Sequence, residues 1–326
     1  MIMRLVPAGA EWYIVHKFIN GDDIMEHQLS LFPSADSSKS ADLFLPRDSN
    51  ALDEMFAASH RFRSGSEYMD LLRFISRFPK YSPFNGLLLY IQNPDITYVG
   101  TAGTWKRRYQ RNIKYNARPL LILAPMSPVR FVFDLEDTEG EPLLIDQSLQ
   151  KKDFRQLTTD TLGHTILNCT LSGIIVREVE LASQTSSNLI PVTGDSFQKY
   201  EAMEIEPHMN FLILLNESLD LEHKYAGLVV ELAKVFCGHF GISANAWWQD
   251  RKDISPKISD IEAESVAFLV CQRKSLDECT KRFLEPCRKP GENIPVVGLS
   301  TVFNATSYIE DMGKSRWKKP KKQGRN

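Results

Sequence analysis

The chain has 326 residues, of which 43% are hydrophobic and 25% are charged, and its formal net charge is −2. This composition is typical of a globular protein with a real core, and the length allows two domains. Because the net charge is slightly negative, the molecule as a whole does not attract nucleic acid, and any such binding must come from a local basic patch.

The cysteines and the hydropathy pattern indicate the compartment. The five cysteines are sparse and odd in number, which favours reduced thiols over a disulfide framework. No apolar run approaches the ~20 residues that a bilayer crossing needs. The first 21 residues are interrupted by Glu11, His16 and Lys17, which disfavours a signal peptide. The sequence therefore predicts a cytoplasmic protein with no membrane partner.

Residues 1–60 predict a poorly defined arm and linker to which no function is assigned. The segment 33–40 within it is polar and rich in small residues, as mobile linkers are. An amphipathic helix is predicted from Ser66 to Phe78, and a short apolar helix over 85–92. Strand-like runs separated by turn residues follow at 97–99, 120–123 and 130–133. Together these elements predict a small α+β domain over 61–145.

A basic and aromatic stretch lies inside that domain, over residues 105–118. Aromatic rings stack on bases while Lys and Arg contact phosphates, which is how proteins bind single strands. A solvated charged turn with Trp105 in the core explains the composition equally well. The candidate nucleic-acid-binding residues are Trp105, Lys106, Arg107, Arg108, Tyr109, Arg111, Lys114 and Arg118.

A second α+β domain is predicted over 146–310, followed by a basic, disordered tail over 311–326. The domain is expected to contain strands at 174–179 and 211–215 and helices at 157–169, 222–240 and 259–273.

The helix predicted over 222–240 has the pattern of a zinc-peptidase helix without its ligands. In H-E-x-x-H, two histidines four residues apart bind zinc, and the glutamate between them is the general base. Here Glu231 holds the glutamate position, while Val230 and Lys234 stand at the ligand positions. Valine has no lone pair and an ammonium group repels a dication, so this site predicts neither zinc binding nor catalysis.

Tandem tryptophans, Trp247 and Trp248, follow this helix and precede Arg251. They could line a peptide or nucleotide groove. A covering loop packed over the vestigial site is the favoured interpretation, because large aromatic side chains are usually buried.

Two blocks of sequence resemble one family. The first block consists of the motifs Tyr81–Leu88, Gln92–Pro94, Gly103–Arg107, Ile122–Pro125, Phe133–Asp134 and Thr138–Leu143. It resembles the N-terminal domain of ArdC-type antirestriction proteins, and the resemblance implies binding of single-stranded DNA.

The second block resembles the ImmA/IrrE-like zinc-peptidase domain that follows in that family. It keeps Cys237–Gly238–His239 after the altered H-E-x-x-H, and residues 260–267 resemble the segment that supplies the third zinc ligand. The resemblance places that ligand at Glu262, with Asp260 and Glu264 as nearby alternatives.

These patterns favour a noncatalytic protein that binds single-stranded DNA and carries a degenerate gluzincin-like domain. The resemblance connects it to antirestriction or mobile-element biology. At the vestigial site, formed by Val230, Glu231, Lys234 and Glu262, we expect no metal or other cofactor. The Lys234 ammonium is hypothesised to stand in place of zinc and to pair with Glu231 and Glu262.

Two alternatives remain open. One is an active zinc metallopeptidase with unusual ligands, such as His239 and Glu262. The other is a protein-interaction module that holds a protein partner in the dead peptidase cleft.

Overall fold

A computed structural model describes residues 62, 64–124, 127–143, 156–182, 185–192, 209–241, 246–289 and 291–315, and the backbone of three strands within residues 2–30. The predicted linker at 33–40 and the basic tail from Arg316 onward lie outside the described residues. Both α-helices and β-sheets are present, in agreement with the coarse class expected from the sequence.

By its internal contacts the chain divides into two units, and the division differs from the predicted boundary at residue 145. The first unit comprises Met1–Ser49 and Leu88–Pro142, and the second comprises Asn50–Leu87 and Leu143–Asn326. Residues 61–87, which were predicted to belong to the basic domain, therefore lie in the second unit.

In its described residues, the first unit contains three small sheets and one whole helix. Strands β1 (Ile2–Ala8), β2 (Glu11–Lys17) and β3 (Glu26–Ser30) form an antiparallel meander. The later strands are β4 Val99–Gly100, β5 Asn112–Ile113, β6 Leu120–Ala124, β7 Ser127–Asp134 and β8 Thr138–Glu139. They form one sheet of order β4-β7-β6 and a second, two-stranded sheet that pairs β5 with β8.

Three helices lie in the same part of the sequence as strands β4 to β8. Helix α1 (Gly65–Ser76) belongs to the second unit, and the boundary between the units falls inside α2 (Pro83–Gln92). Helix α3 (Ala102–Tyr109) follows β4 in the first unit. Helix α1 buries an apolar face that includes Met69, Leu72 and Ile75.

The second unit is built on a three-stranded sheet that is covered by helices. The bounds are α4 Thr159–Thr170, β9 Ile174–Val179, β10 Ser187–Pro191, β11 Phe211–Asn216, α5 Leu221–Phe236, α6 Pro256–Gln272, α7 Asp277–Thr280, α8 Glu285–Arg288 and α9 Leu299–Met312. The sheet has the order β10-β11-β9, in which β11 pairs in parallel with β9 and antiparallel with β10. Helix α5 packs against β10 and β11, and α6 and α9 pack against α5.

The two helices that position the vestigial site begin at clear capping residues. The Asp220 carboxylate accepts from His223 N at the start of α5, and Ser255 Oγ accepts from Ile258 N at the start of α6. Pro256 occupies the first turn of α6, where a missing N–H costs nothing. Between its ends α5 is almost wholly apolar, because it is covered on one side by the sheet and on the other by helices.

Most predicted elements are present, with shifted ends. Helix α5 ends at Phe236 and not at Phe240, so Cys237 to His239 lie in a turn. The basic stretch, for which the sequence predicted no regular element, contains helix α3. None of the helices in the described part of the chain has both the length and the apolar character that a bilayer crossing needs. All five cysteines are free and buried, as the thiol prediction required.

Candidate functional site

Helix α5 holds Glu231 in a position where both of its carboxylate oxygens are occupied. Ser187 Oγ on β10 donates to Glu231 Oε1 at 2.9 Å, and Lys234 Nζ donates to Oε2 at 2.9 Å. The Glu231 side chain is 6% exposed and the Lys234 side chain is 32% exposed. Each oxygen of Glu231 thus already accepts one hydrogen bond from a neighbouring side chain.

Glu262 on α6 is the centre of a denser network, and its side chain is fully buried. Arg251 donates to both oxygens, from Nη1 to Oε2 at 2.5 Å and from Nη2 to Oε1 at 2.7 Å. His239 Nε2 hydrogen-bonds to Oε2 at 2.9 Å, and the Gly298 amide donates to Oε1 at 2.9 Å. Two parallel N–H···O bonds from one guanidinium form the most specific carboxylate clamp that a side chain can make.

These contacts correct the hypothesis about Lys234. The ammonium does pair with Glu231, but among the described residues no ion pair joins it to Glu262. The cation at Glu262 is Arg251. Lys234 follows Glu231 by three residues on the same helix, so the two side chains are neighbours at the partly exposed surface of α5. Glu262, the more deeply buried carboxylate, pairs with Arg251, which lies on a loop.

The electrostatics of the cluster agree with a permanent ion pair. Burial acts to raise the pKa of Glu262, but the hydrogen bonds from His239 and Arg251 outweigh it and hold the pKa below its ordinary value. For Arg251 burial acts in the opposite direction, yet the hydrogen bond and the charge of Glu262 raise its pKa further. Both groups are thus charged throughout the neutral range.

A tight turn after α5 brings the arginine to the glutamate. Gly238 has φ = +78°, and a Cβ atom there would lie 1.9 Å from the Gln249 carbonyl oxygen. The Arg251 amide donates to the Gly238 carbonyl at 3.0 Å. Only glycine combines this left-handed backbone with such a close approach. The Cys237–Gly238–His239 sequence therefore docks the loop that carries Arg251.

The residues at the two histidine positions of H-E-x-x-H offer no free metal ligand. Val230 offers no ligand atom, and Lys234 is already paired with Glu231. One other group, Cys237, His239 and Glu262, brings three potential ligand atoms within 4.8 Å of one another.

In that second group, Glu262 already has a cation as its partner. Both oxygens of Glu262 are held by the Arg251 guanidinium, whose charge repels a dication. Burial raises the pKa of the Cys237 thiol above its ordinary value. A metallopeptidase that uses His239 and Glu262 would first have to expel Arg251.

The tandem tryptophans lie in the docked loop. Trp248 is 7% exposed and its Nε1 donates to the Gly241 carbonyl at 3.0 Å. Its ring meets Phe236 at 5.3 Å in an edge-to-face arrangement, and Trp247 stacks on Phe236 at 6.0 Å. Both tryptophans thus pack on Phe236 at the end of α5.

Sequence reasoning did not identify Arg251 and Ser187 as the hydrogen-bond partners of Glu262 and Glu231. Neither stands at a helical spacing from its partner, since Arg251 precedes Glu262 by 11 residues and Ser187 precedes Glu231 by 44. The only local signal was the glycine in Cys237–Gly238–His239, which indicates a turn. It does not indicate that the turn brings Arg251 to Glu262.

In the first unit, helix α3 separates the basic stretch into an inner and an outer face. Trp105 is fully buried, and its Nε1 donates to the Phe133 carbonyl at 3.0 Å. Tyr109 is half-buried and shares a 2.7 Å hydrogen bond with the Tyr98 hydroxyl. Trp105 therefore belongs to the core of the unit, and Tyr109 lies at its edge.

Arg111, a predicted nucleic-acid-binding residue, is instead a structural residue. It is 8% exposed and donates from Nε to Thr138 Oγ1 at 2.7 Å and from Nη2 to the Thr138 carbonyl at 2.9 Å. Nη1 donates to the Glu141 carbonyl. Three of the five N–H groups of this buried guanidinium bond to Thr138 and Glu141, so Arg111 does not belong to the exposed basic residues of the stretch.

The other basic side chains of the stretch are exposed. Arg107 and Arg108 lie in the last turn of α3, where the helix dipole favours cations. Tyr115 follows them and is 102% exposed. We call the following exposed residues the basic surface: Lys106, Arg107, Arg108, Lys114, Tyr115 and Arg118.

No protein-family model, no curated protein and no solved structure matches this chain.

Proposed function

We propose that this protein is a noncatalytic binder of single-stranded DNA, which it contacts through the basic surface. The observation that carries the proposal is the fully exposed ring of Tyr115, which stands beside Lys114 in a stretch that also exposes Arg118. An aromatic ring in water loses its hydrophobic contribution to folding, so its exposure among cations suits a binding role.

The physics of single-strand binding requires both kinds of side chain. Cations follow the phosphates and release counterions, while aromatic rings stack on the unpaired bases, which a duplex keeps hidden. The basic surface offers five cations and one freely accessible ring within 13 residues of sequence. The net charge of −2 for the whole chain does not reveal this local concentration of positive charge.

The second unit supports the noncatalytic part of the proposal. Both oxygens of Glu231 are bonded to Ser187 and Lys234, and both oxygens of Glu262 are bonded to Arg251. We propose that this unit is a degenerate gluzincin-like domain joined to an ArdC-like domain. We further propose that the protein acts in the cytoplasm in antirestriction or mobile-element biology. These proposals rest on the sequence resemblance and on the buried thiols.

Fluorescence anisotropy with a labelled single-stranded oligonucleotide, titrated at several salt concentrations beside a duplex, tests the proposal. We expect tighter binding to the single strand, with a salt slope that shows several released counterions. Each phosphate contact contributes about 0.7 to that slope, so K106A/R107A/R108A should lower it by about 2. The matched control, K252A/K257A/K281A, removes three exposed lysines from the second unit and should leave the slope unchanged.

Stacking is tested at Tyr115. Tyr115→Ala should lose about 1–3 kcal/mol of binding free energy, whereas Tyr115→Phe keeps the ring and should lose little. No binding at low salt, or equal binding to the single strand and the duplex, would refute the proposal. Equal losses of binding affinity for K106A/R107A/R108A and for K252A/K257A/K281A would show that binding is not located at the basic surface.

A further inference from the structure

A cleft of about 430 Å³ lies in the second unit, between the loop that carries the tandem tryptophans and one face of α9. Its volume is within the range of ~300–1,000 Å³ that is usual for small-molecule sites. Cys237 and Arg251 are among its lining residues, whereas Glu262 is not.

One wall of the cleft is aromatic. Trp247 and Tyr308 meet with ring centroids 4.7 Å apart and an interplanar angle of 41°, and Phe236 packs on both rings. Tyr308 and Phe236 are buried, while Trp247 is half-buried and keeps part of its ring open. This wall is held rigidly by its own packing and offers a stacking surface for a flat ligand.

The other wall is polar and uncharged over most of its length. Ser300, Asn304 and Ser307 follow one another at three- and four-residue spacing, which places them on one face of α9. Within the described part of the chain, none of these three side chains makes a hydrogen bond. The loop contributes Gln249, a second amide that faces the cleft and is exposed.

The charges that line the cleft are already neutralised. Arg251 is held by both oxygens of Glu262, and Asp311 forms an ion pair with Lys314. A ligand with a net charge would therefore find no free counter-charge here. The cleft suits an uncharged, planar molecule that carries hydrogen-bond donors and acceptors along its edge.

We propose that this cleft binds the base of an adenine nucleoside. A nucleobase is planar, stacks on aromatic rings and is uncharged at neutral pH. Amide side chains pair with adenine by donating to N7 and accepting from the N6 amino group, and the cleft supplies two amides, Asn304 and Gln249. The base stacks on Trp247, and its edge meets Asn304.

The same charge balance predicts discrimination against phosphate. The nucleoside binds without an ionic partner, whereas a 5′-phosphate brings two negative charges to a cleft whose lining cation, Arg251, is already bonded to Glu262. We expect adenosine to bind at least severalfold more tightly than adenosine monophosphate.

Isothermal titration calorimetry of the full chain with adenosine tests the proposal, and quenching of the fluorescence of Trp247 is a second readout. We expect 1:1 binding with Kd below about 1 mM. Asn304→Ala removes an exposed amide without touching the core and should weaken binding about tenfold. The matched control, Asn116→Ala, removes an exposed asparagine outside the cleft and should leave Kd unchanged.

Three results would overturn the proposal: no saturable binding of adenosine, the same Kd for Asn304→Ala and the wild type, or ribose binding as tightly as adenosine. Tighter binding of the monophosphate than of adenosine would contradict the charge argument and overturn it as well. Because a nucleoside carries no phosphate, the titration is independent of the basic surface, and its failure leaves the strand-binding proposal standing.

The base could come from a free nucleoside or from a nucleotide within a strand. A deoxyadenosine oligonucleotide and an abasic strand of equal length separate these sources. If the base comes from a strand, Asn304→Ala weakens binding of the first and not of the second. If the source is a free nucleoside, the variant changes binding of neither strand while still weakening adenosine.

Discussion

A carboxylate buried as completely as Glu262 requires a partner of opposite charge, and the chain provides one whose charge cannot be lost. Arginine stays protonated at all relevant pH values and satisfies both carboxylate oxygens at once. Removing one member of such a pair leaves an unpaired buried charge and costs about 3–5 kcal/mol. In the cluster of Glu262, Arg251 and His239, both carboxylate oxygens are hydrogen-bonded and the charge of Glu262 is balanced by Arg251.

The lowered pKa of Glu262 predicts how stability depends on pH. The folded protein binds fewer protons at this carboxyl than the unfolded chain, so its contribution is complete above the ordinary value of 4.5 and is lost as pH falls through the folded value. We expect the unfolding free energy, measured by urea denaturation, to fall less between about pH 5 and about pH 3 in Glu262→Gln than in the wild type.

The comparison uses the slope with pH, so the lower absolute stability of the variant does not affect it. Glu278→Gln removes a carboxylate from the exposed Glu278–Lys281 pair and serves as the control, with a slope close to that of the wild type. Equal slopes for Glu262→Gln and the wild type would show that Glu262 titrates as it does in the unfolded chain.

Arg251 also predicts how hard it is to restore a zinc site. V230H/K234H recreates the two histidines, but Glu262 remains held by the guanidinium. We expect this double variant to bind zinc weakly and the triple variant with Arg251→Gln to bind it at least about tenfold more tightly, because a glutamate freed of its cation can act as third ligand. Competition with a zinc-chelating dye measures both affinities.

The control for the triple variant is V230H/K234H/K252Q, which removes the neighbouring exposed lysine. If the double and triple variants bound zinc equally well, Arg251 would not be the group that keeps a metal away from Glu262.

At the residue scale, the sequence predicted contacts that follow from helical spacing and missed those that do not. The Lys234–Glu231 pair was foreseeable because residues three apart on a helix are neighbours. The Arg251–Glu262 pair was not, since a loop of unknown path separates them. Arg111 shows a related limit, because charge alone does not reveal that a basic side chain turns inward to Thr138.

At the element scale, apolar periodicity identified the long helices but not where they end. Helix α5 was predicted to reach Phe240, because Gly241 after it is a typical helix stop. The helix ends at Phe236 because Gly238 adopts a left-handed conformation and the chain turns toward Gln249. Helix α9, which forms one wall of the cleft, was missed entirely, as its exposed face of Ser, Thr and Asn resembles a loop composition.

That turn carries its own prediction. Gly238→Ala combines an unfavourable left-handed backbone with a direct clash against the Gln249 carbonyl, and should lower the unfolding free energy by about 2–5 kcal/mol. Gly291 is a matched control, since it also has positive φ, at +73°, but a methyl group added there would meet no atom within 4 Å. Gly291→Ala should cost only about 1–2 kcal/mol, for the backbone alone.

Thermal and urea unfolding of both variants measure these costs. Similar losses at the two glycines would show that the approach of Gln249 to Gly238 contributes nothing, and that only the backbone conformation matters.

At the scale of the whole molecule, the division of the chain could not be read from the sequence. Helix α1 precedes the basic stretch and was therefore predicted to share its domain. It belongs to the second unit, where Tyr68 hydrogen-bonds to Ser265 at 2.7 Å and the Arg273 guanidinium donates to the carbonyls of Phe78 and Tyr81. Contacts over such sequence distances leave no periodic signal, whereas the presence of both helices and sheets follows from local patterns alone.

The attachment of α1 to α6 has a consequence for synthesis on the ribosome. Tyr68 and Ser265 are separated by 197 residues, so at about 5–20 residues per second the partner of α1 emerges roughly 10–40 s later. During that interval the apolar face of α1, with Met69, Leu72 and Ile75, lacks the part of its cover that α6 provides. The nascent chain is therefore expected to be a substrate for chaperones that bind exposed apolar segments, and slower translation would lengthen its exposure to aggregation.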